Sequence, residues 1–114
     1  MRETNKAIRY SNTGTAHSQK LTADYIKRSI SPLDFYRHEL PTAVLKKHEW
    51  TDGGLCPFHA DNKVGSFRVN LTTGAFKCFA CGIAGSDVIA FVMTLHSLQF
   101  IEALAKVADD WGLI

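Results

Sequence analysis

Long apolar runs are missing from this chain of 114 residues. No stretch approaches the ~20 consecutive apolar residues of a membrane-spanning helix, so no membrane segment is expected. Cysteine is scarce as well. Three cysteines cannot all pair, which excludes a complete disulfide framework. Residues 1–20 contain no apolar run, so nothing points to a signal peptide or an oxidising compartment. A cytoplasmic location is the expectation. Clustered carboxylates are lacking too: Asp109-Asp110 is the only adjacent acidic pair, and it falls at the end of an expected helix. With no nucleophile–base pair either, the chain offers no catalytic site of its own.

Excess charge is small, at +2, but it is unevenly placed. Residues 1–82 hold 12 Lys/Arg against 7 Asp/Glu, whereas residues 83–114 hold Lys106 against Asp87, Glu102, Asp109 and Asp110. That asymmetry is compatible with a polyanionic partner on the basic side, and equally with an ordinary solvated surface.

What is there is a ligand pattern. Cys56, His59, Cys78 and Cys81 read C-P-F-H, then 18 residues, then C-F-A-C-G, and they use every cysteine in the chain. Three thiolates and one imidazole form a common structural zinc set. A two-residue gap lets each pair turn back onto one ion, and four protein donors leave no open position for water. One structural Zn²⁺ is therefore expected. Gly82 follows Cys81 where a knuckle needs a tight turn with positive φ. A thioredoxin-like C-x-x-C would want a strand–helix context and would leave C-P-F-H unexplained. His17, His38, His48 and His96 are rival ligands, but none has a partner at metal spacing. Binding at such a site is worth on the order of 10–16 kcal/mol near neutral pH and feeds folding, so the central region is expected to need its metal.

The fold class expected is α+β: a small zinc ribbon, built on an antiparallel hairpin, packed with flanking helices. Residues 1–20 read as a flexible polar tail. A short helix over 22–30 can be capped by Thr22, and Ser31-Pro32-Leu33-Asp34 starts a second that stops before Pro41. Residues 43–50 can form a strand. Ser66–Leu71 puts Phe67, Val69 and Leu71 on one face with Arg68 and Asn70 on the other. Ala75–Phe79 sets Phe76 against Lys77 in the same way, and Thr72-Thr73-Gly74 closes the hairpin. Residues 86–96 read as a helix capped by Ser86. Another runs from about Leu98 to Trp111, with Ile101, Leu104, Ala105, Ala108 and Trp111 at helical spacing and Gly112 at its end. The ribbon core thus spans 43–82 and the C-terminal helices 86–111, within one domain over 21–114.

These residues resemble the N-terminal zinc-binding domain of bacterial and phage DNA primases of the DnaG type. The resemblance rests on G-L-C-P-F-H at 54–59, Lys63, S-F-R-V at 66–69, F-K-C-F-A-C-G at 76–82, G-S-D-V-I-A-F-V-M at 85–93 and F-I-E-A-L-A-K-V-A at 100–108. It departs at Val64-Gly65, where that family usually has Thr-Pro. The clustered Mg²⁺-holding carboxylates of the primase polymerase domain have no counterpart among these 114 residues. The resemblance implies recognition of a single-stranded DNA template during primer synthesis, alongside a polymerase domain or replicative helicase. It implies Lys63 as a DNA contact, and the alternation of the strands puts Arg68 and Lys77 outward for phosphates. Phe67 and Phe76 are expected inside, and Phe58 around the metal. The competing expectation is a non-catalytic adaptor of a plasmid or phage replication system, binding a polymerase or helicase through the ribbon or its helices.

Overall fold

The computed structural model describes residues 21–46 and 49–114. The tail expected over 1–20 lies outside the described residues, as do His17 and His48. The chain forms helices α1 (Ala23–Ser29) and α2 (Pro32–Glu39), strands β1 (Trp50–Asp52), β2 (Phe67–Asn70), β3 (Phe76–Cys78) and β4 (Ala84–Gly85), then helices α3 (Val88–His96) and α4 (Phe100–Asp110). The four strands make one sheet in the order β1-β2-β3-β4, with every neighbouring pair antiparallel.

Local chemistry sets the helix starts. The Thr22 side chain accepts from the Tyr25 N–H, and Ser31 accepts from Asp34 with Pro32 opening α2. At α3 the N-cap is Asp87 rather than Ser86: Asp87 Oδ1 accepts from the Ala90 N–H at 2.9 Å. The shift arises because Ala84 and Gly85 are drawn into β4 against Lys77 and Phe76, so the chain leaves the sheet one residue later. Asp87 also meets the Lys27 ammonium of α1 at 3.2 Å. The start of α4 is closed by a capping box between Gln99 and Glu102.

The strand expected over 43–50 is displaced. Residues 43–46 are irregular, and β1 begins at Trp50. Its partner β2 ends at Asn70, which already pairs with Trp50, so β2 has no residue left for the chain before Trp50. Asn70 is buried rather than outward, because its side-chain oxygen accepts from the N–H groups of Thr72 and Thr73 and shapes the hairpin turn. The buried stripe of α4 is Ala103, Leu104, Val107 and Ala108, while Ile101 and Ala105 face solvent. The expected stripe is rotated because α4 packs on α3 and α1 from one side only.

One face of the sheet carries the core. Phe67, Val69 and Phe76 are fully buried beneath the helices with Phe35, Tyr36, Ile89, Phe91 and Leu104. Phe91 of α3 meets Phe35, Tyr36, Phe58 and Phe76 edge-on, with centroids 5.2–5.6 Å away. The Tyr36 hydroxyl donates to the Gly74 carbonyl, tying α2 to the hairpin turn. Burial, together with the nearby Asp87 carboxylate, raises the Tyr36 pKa and keeps the phenol neutral. Replacing Tyr36 with Phe leaves the Gly74 carbonyl without its partner. A loss of about 1–3 kcal/mol is expected, read as a lower midpoint in urea with an unchanged slope.

Candidate metal centre and nucleic-acid interface

The two ligand pairs flank the hairpin in sequence and meet at its open end, opposite the turn. Cys56 and His59 lie on the loop that follows β1, and Cys78 ends β3 with Cys81 in the turn leading to β4. Cys78 sits opposite Phe67 in the ladder. The second knuckle is shaped by its own backbone: the Gly82 N–H donates to the Cys78 carbonyl at 2.8 Å, and the Cys78 N–H to the Ile83 carbonyl at 2.9 Å. Gly82 takes φ +82°, the left-handed conformation the turn requires. Gly65, standing where proline was expected from the resemblance, has φ +116°, which the proline ring forbids. The loop into β2 is thus bent differently from one with Thr-Pro.

One donor atom from each of Cys56, His59, Cys78 and Cys81 lies within 4.8 Å of all the others. The Cys56 and Cys81 sulfurs are 4.0 Å apart, close to the roughly 3.8 Å edge of a tetrahedron with zinc–sulfur bonds of about 2.3 Å. His59 Nδ1 is buried and has no hydrogen-bond partner, a costly condition that a metal bond relieves. Burial pushes the Cys56 thiol up to about 12, with the Cys78 thiol adding to the effect against the Phe58 N–H. Burial also opposes ionisation of Cys78. The N–H groups of Cys81 and Ala80, with the neighbouring thiols, outweigh it and hold Cys78 below the ordinary thiol value. Three thiols this close cannot all ionise without a cation between them. The donor set fits one zinc ion held by four protein ligands. Its contribution is the structural cross-link, because four protein bonds close its coordination shell.

Asp61 is a residue the ligand spacing did not single out. Its Oδ2 accepts from the Cys56 N–H at 2.9 Å, and its Oδ1 lies 3.8 Å from His59 Nε2. The Cys56 N–H, then those of Lys63 and Asn62, hold its carboxyl below the ordinary value against the effect of burial. The carboxylate therefore braces the backbone of Cys56, and its other oxygen stands near the outer nitrogen of His59, beyond hydrogen-bond distance. The only advance signal was an acid two residues after His59.

On the solvent side of the sheet, Arg68 and Lys77 are direct cross-strand partners. Lys77 is exposed, and its ammonium lies 5.1 Å from the centroid of the Phe79 ring, itself 69% exposed. Arg68 is half-buried and lines a groove of about 420 Å³ with Lys46, Trp50, Asp52 and Val64. Lys63 is exposed on the loop between the first knuckle and β2, apart from that ladder. Phe67 and Phe76 point into the core as expected, and Phe58 stacks on Phe76 at 5.4 Å beside the metal centre. His38 and His96 lie away from the metal centre, both lining a separate cavity beneath Trp111.

Two knuckles that close four donors around one ion on a short antiparallel sheet define a zinc ribbon. The chain belongs to the CHC2 zinc finger family (Zn_ribbon_DnaG), which matches residues 22–114. Its relatives include a DNA primase of Helicobacter pylori strain 26695, 44% identical over 89 residues that make up 78% of this chain and 16% of that one. A DNA primase of Mycolicibacterium smegmatis is 48% identical over 59 residues, 52% of this chain and 9% of that one. The crystal structure of the Aquifex aeolicus primase, zinc-binding and RNA polymerase domains, superposes with a TM-score of 0.61 at 32% identity. It covers 78% of this chain and 21% of that chain. The chain thus spans about a tenth to a sixth of the length of these curated relatives. No single helix among the described residues is long and apolar enough to cross a membrane.

Two outcomes follow from this geometry. Purified protein should carry one zinc per chain by elemental analysis, and Cys78→Ala should lose both the metal and the cooperative melting transition. Asp61→Asn should remain folded when loaded but lose zinc to a competing chelator at about 10- to 100-fold lower chelator concentration. Unchanged retention would show that the first knuckle needs no brace.

Proposed function

We propose that this chain is the zinc-ribbon module of a DNA primase system, and that it binds single-stranded template DNA across the solvent face of its sheet. The observation that carries the reading is the Arg68–Lys77 ladder. It sets two cations side by side on the face opposite the core, flanked by an exposed aromatic ring. Cations track phosphates, and ring faces accept any base. Lys63, exposed on the loop between the first knuckle and β2, is a further cation available to the DNA strand. The ligands Cys56, His59, Cys78 and Cys81 act by holding the strands that present these groups. A polymerase domain on another part of the system, or on another chain, supplies the chemistry.

A second reading has its own observation. Phe100 and Ile101 at the start of α4 are 46% and 72% exposed, an apolar step suited to a protein partner such as a replicative helicase or polymerase. In that reading the chain is an adaptor and need not hold DNA by itself.

Fluorescence anisotropy with a labelled single-stranded oligonucleotide, across a salt series, separates the two. Zinc-loaded protein should bind with a steep salt dependence, and chelator-stripped protein should not. Replacing both Arg68 and Lys77 with Ala should reduce the log–log slope by about 0.7 for every phosphate that is no longer neutralised. A slope equal to the unaltered protein's would move the DNA surface off the sheet. No binding by loaded protein would favour the adaptor.

A further inference from the structure

The groove beside Arg68 has features that phosphate binding leaves unused. Trp50 opens β1 at the edge of the sheet and is 44% exposed, although nothing in the sheet's pairing needs an indole there. It lines the same cleft of about 420 Å³ as Val44, Lys46, Asp52, Val64 and Arg68. Val44 and Val64, on the facing loops, are 72% and 57% exposed. An indole, two aliphatic side chains and a carboxylate would be a poor phosphate site. Asp52, which accepts from the Gly54 N–H at 2.8 Å, sits directly opposite Arg68 in the ladder and repels a phosphate.

The geometry points to a nucleobase subsite: one base of a single strand leaves the Arg68–Lys77 phosphate track, enters this cleft and stacks on Trp50. The flat apolar walls match a base's faces. The Asp52 carboxylate accepts from the amino or imino hydrogens of a base edge. Lys46 and Arg68 at the rim match the charge of the phosphates on either side of that nucleotide. The subsite lies on the β1 side of the ladder, and Phe79 with Lys77 on the other, so the strand crosses the sheet with an aromatic ring at each border. This inference rests on the proposed single-stranded DNA binding and deepens it.

The test uses the full zinc-loaded chain with Trp111→Phe as background, so that emission reports Trp50 alone. A short single-stranded deoxyoligonucleotide should quench that emission as anisotropy rises, while the same backbone with abasic sugars should bind more weakly and without quenching. Trp50→Ala should weaken binding by about 5- to 150-fold, the span of one base–aromatic stack, with the salt slope unchanged. Trp50→Phe should recover much of that loss. Trp50→Ala should also narrow the gap in affinity between normal and abasic strands, leaving only the part that Phe79 supplies. If loaded protein binds the strand but Trp50→Ala retains full affinity, or if emission is unmoved on binding, the subsite is wrong and the wider sheet-face reading stands. If loaded protein binds no single strand at all, both fall together.

Discussion

Everything in this small domain hangs on the closure of two knuckles around one ion. β1, β2, β3 and β4 contribute three, four, three and two residues. Strands that short cannot hold a sheet by ladder bonds alone. The metal joins the loop after β1 to the end of β3, so it fixes how the first strand meets the hairpin. Zinc coordination is strong enough to replace the pairing that longer strands would provide. The register that brings Phe67 opposite Cys78 then follows, and with it the division of the sheet into a buried and a solvated face.

The metal centre and the helical core are one packing unit. Phe58 lies within the first knuckle, yet it stacks on Phe76 and meets Phe67 and Phe91. Its ring carries the position of the knuckle into α3. On the far side, Tyr36 ties α2 to the hairpin turn, and Lys27 ties α1 to the cap of α3. The helices therefore cover the core face and brace the hairpin from the end away from the metal. The outer face is left free to carry Trp50, Arg68, Lys77 and Phe79 without serving the core.

The ligand set and the hairpin were legible because each depends on local pattern. Spacing singled out Cys56, His59, Cys78 and Cys81, and alternation placed Phe67 and Phe76 inward and Lys77 outward. What local pattern could not supply was pairing. The extended look of residues 43–50 suggested a strand, but only a partner makes one, and β2 ends too soon to serve residues 43–46. Asn70 alternates like an outward residue and is buried because its side chain is spent on the turn. Ile101 has helical spacing, yet it faces water because α4 has neighbours on one side. Asp61 and Trp50 escaped notice for the same reason. Their roles appear only when the loop folds back on His59 and when Val64 and Arg68 arrive beside β1.

The three sulfurs are not equivalent to the outside world. Cys56 is 4% exposed and Cys78 is fully buried, whereas Cys81 is exposed at the surface of its turn. The centre therefore has a sealed side, lined by Phe58 and the strands, and an open side at a single thiolate. Oxidants and alkylating reagents reach Cys81 before either of its partners. Loss of that one bond leaves Cys78 as the second knuckle's single tie to the metal. Chemical attack on this domain thus has a direction, entering through the one sulfur that its turn leaves uncovered.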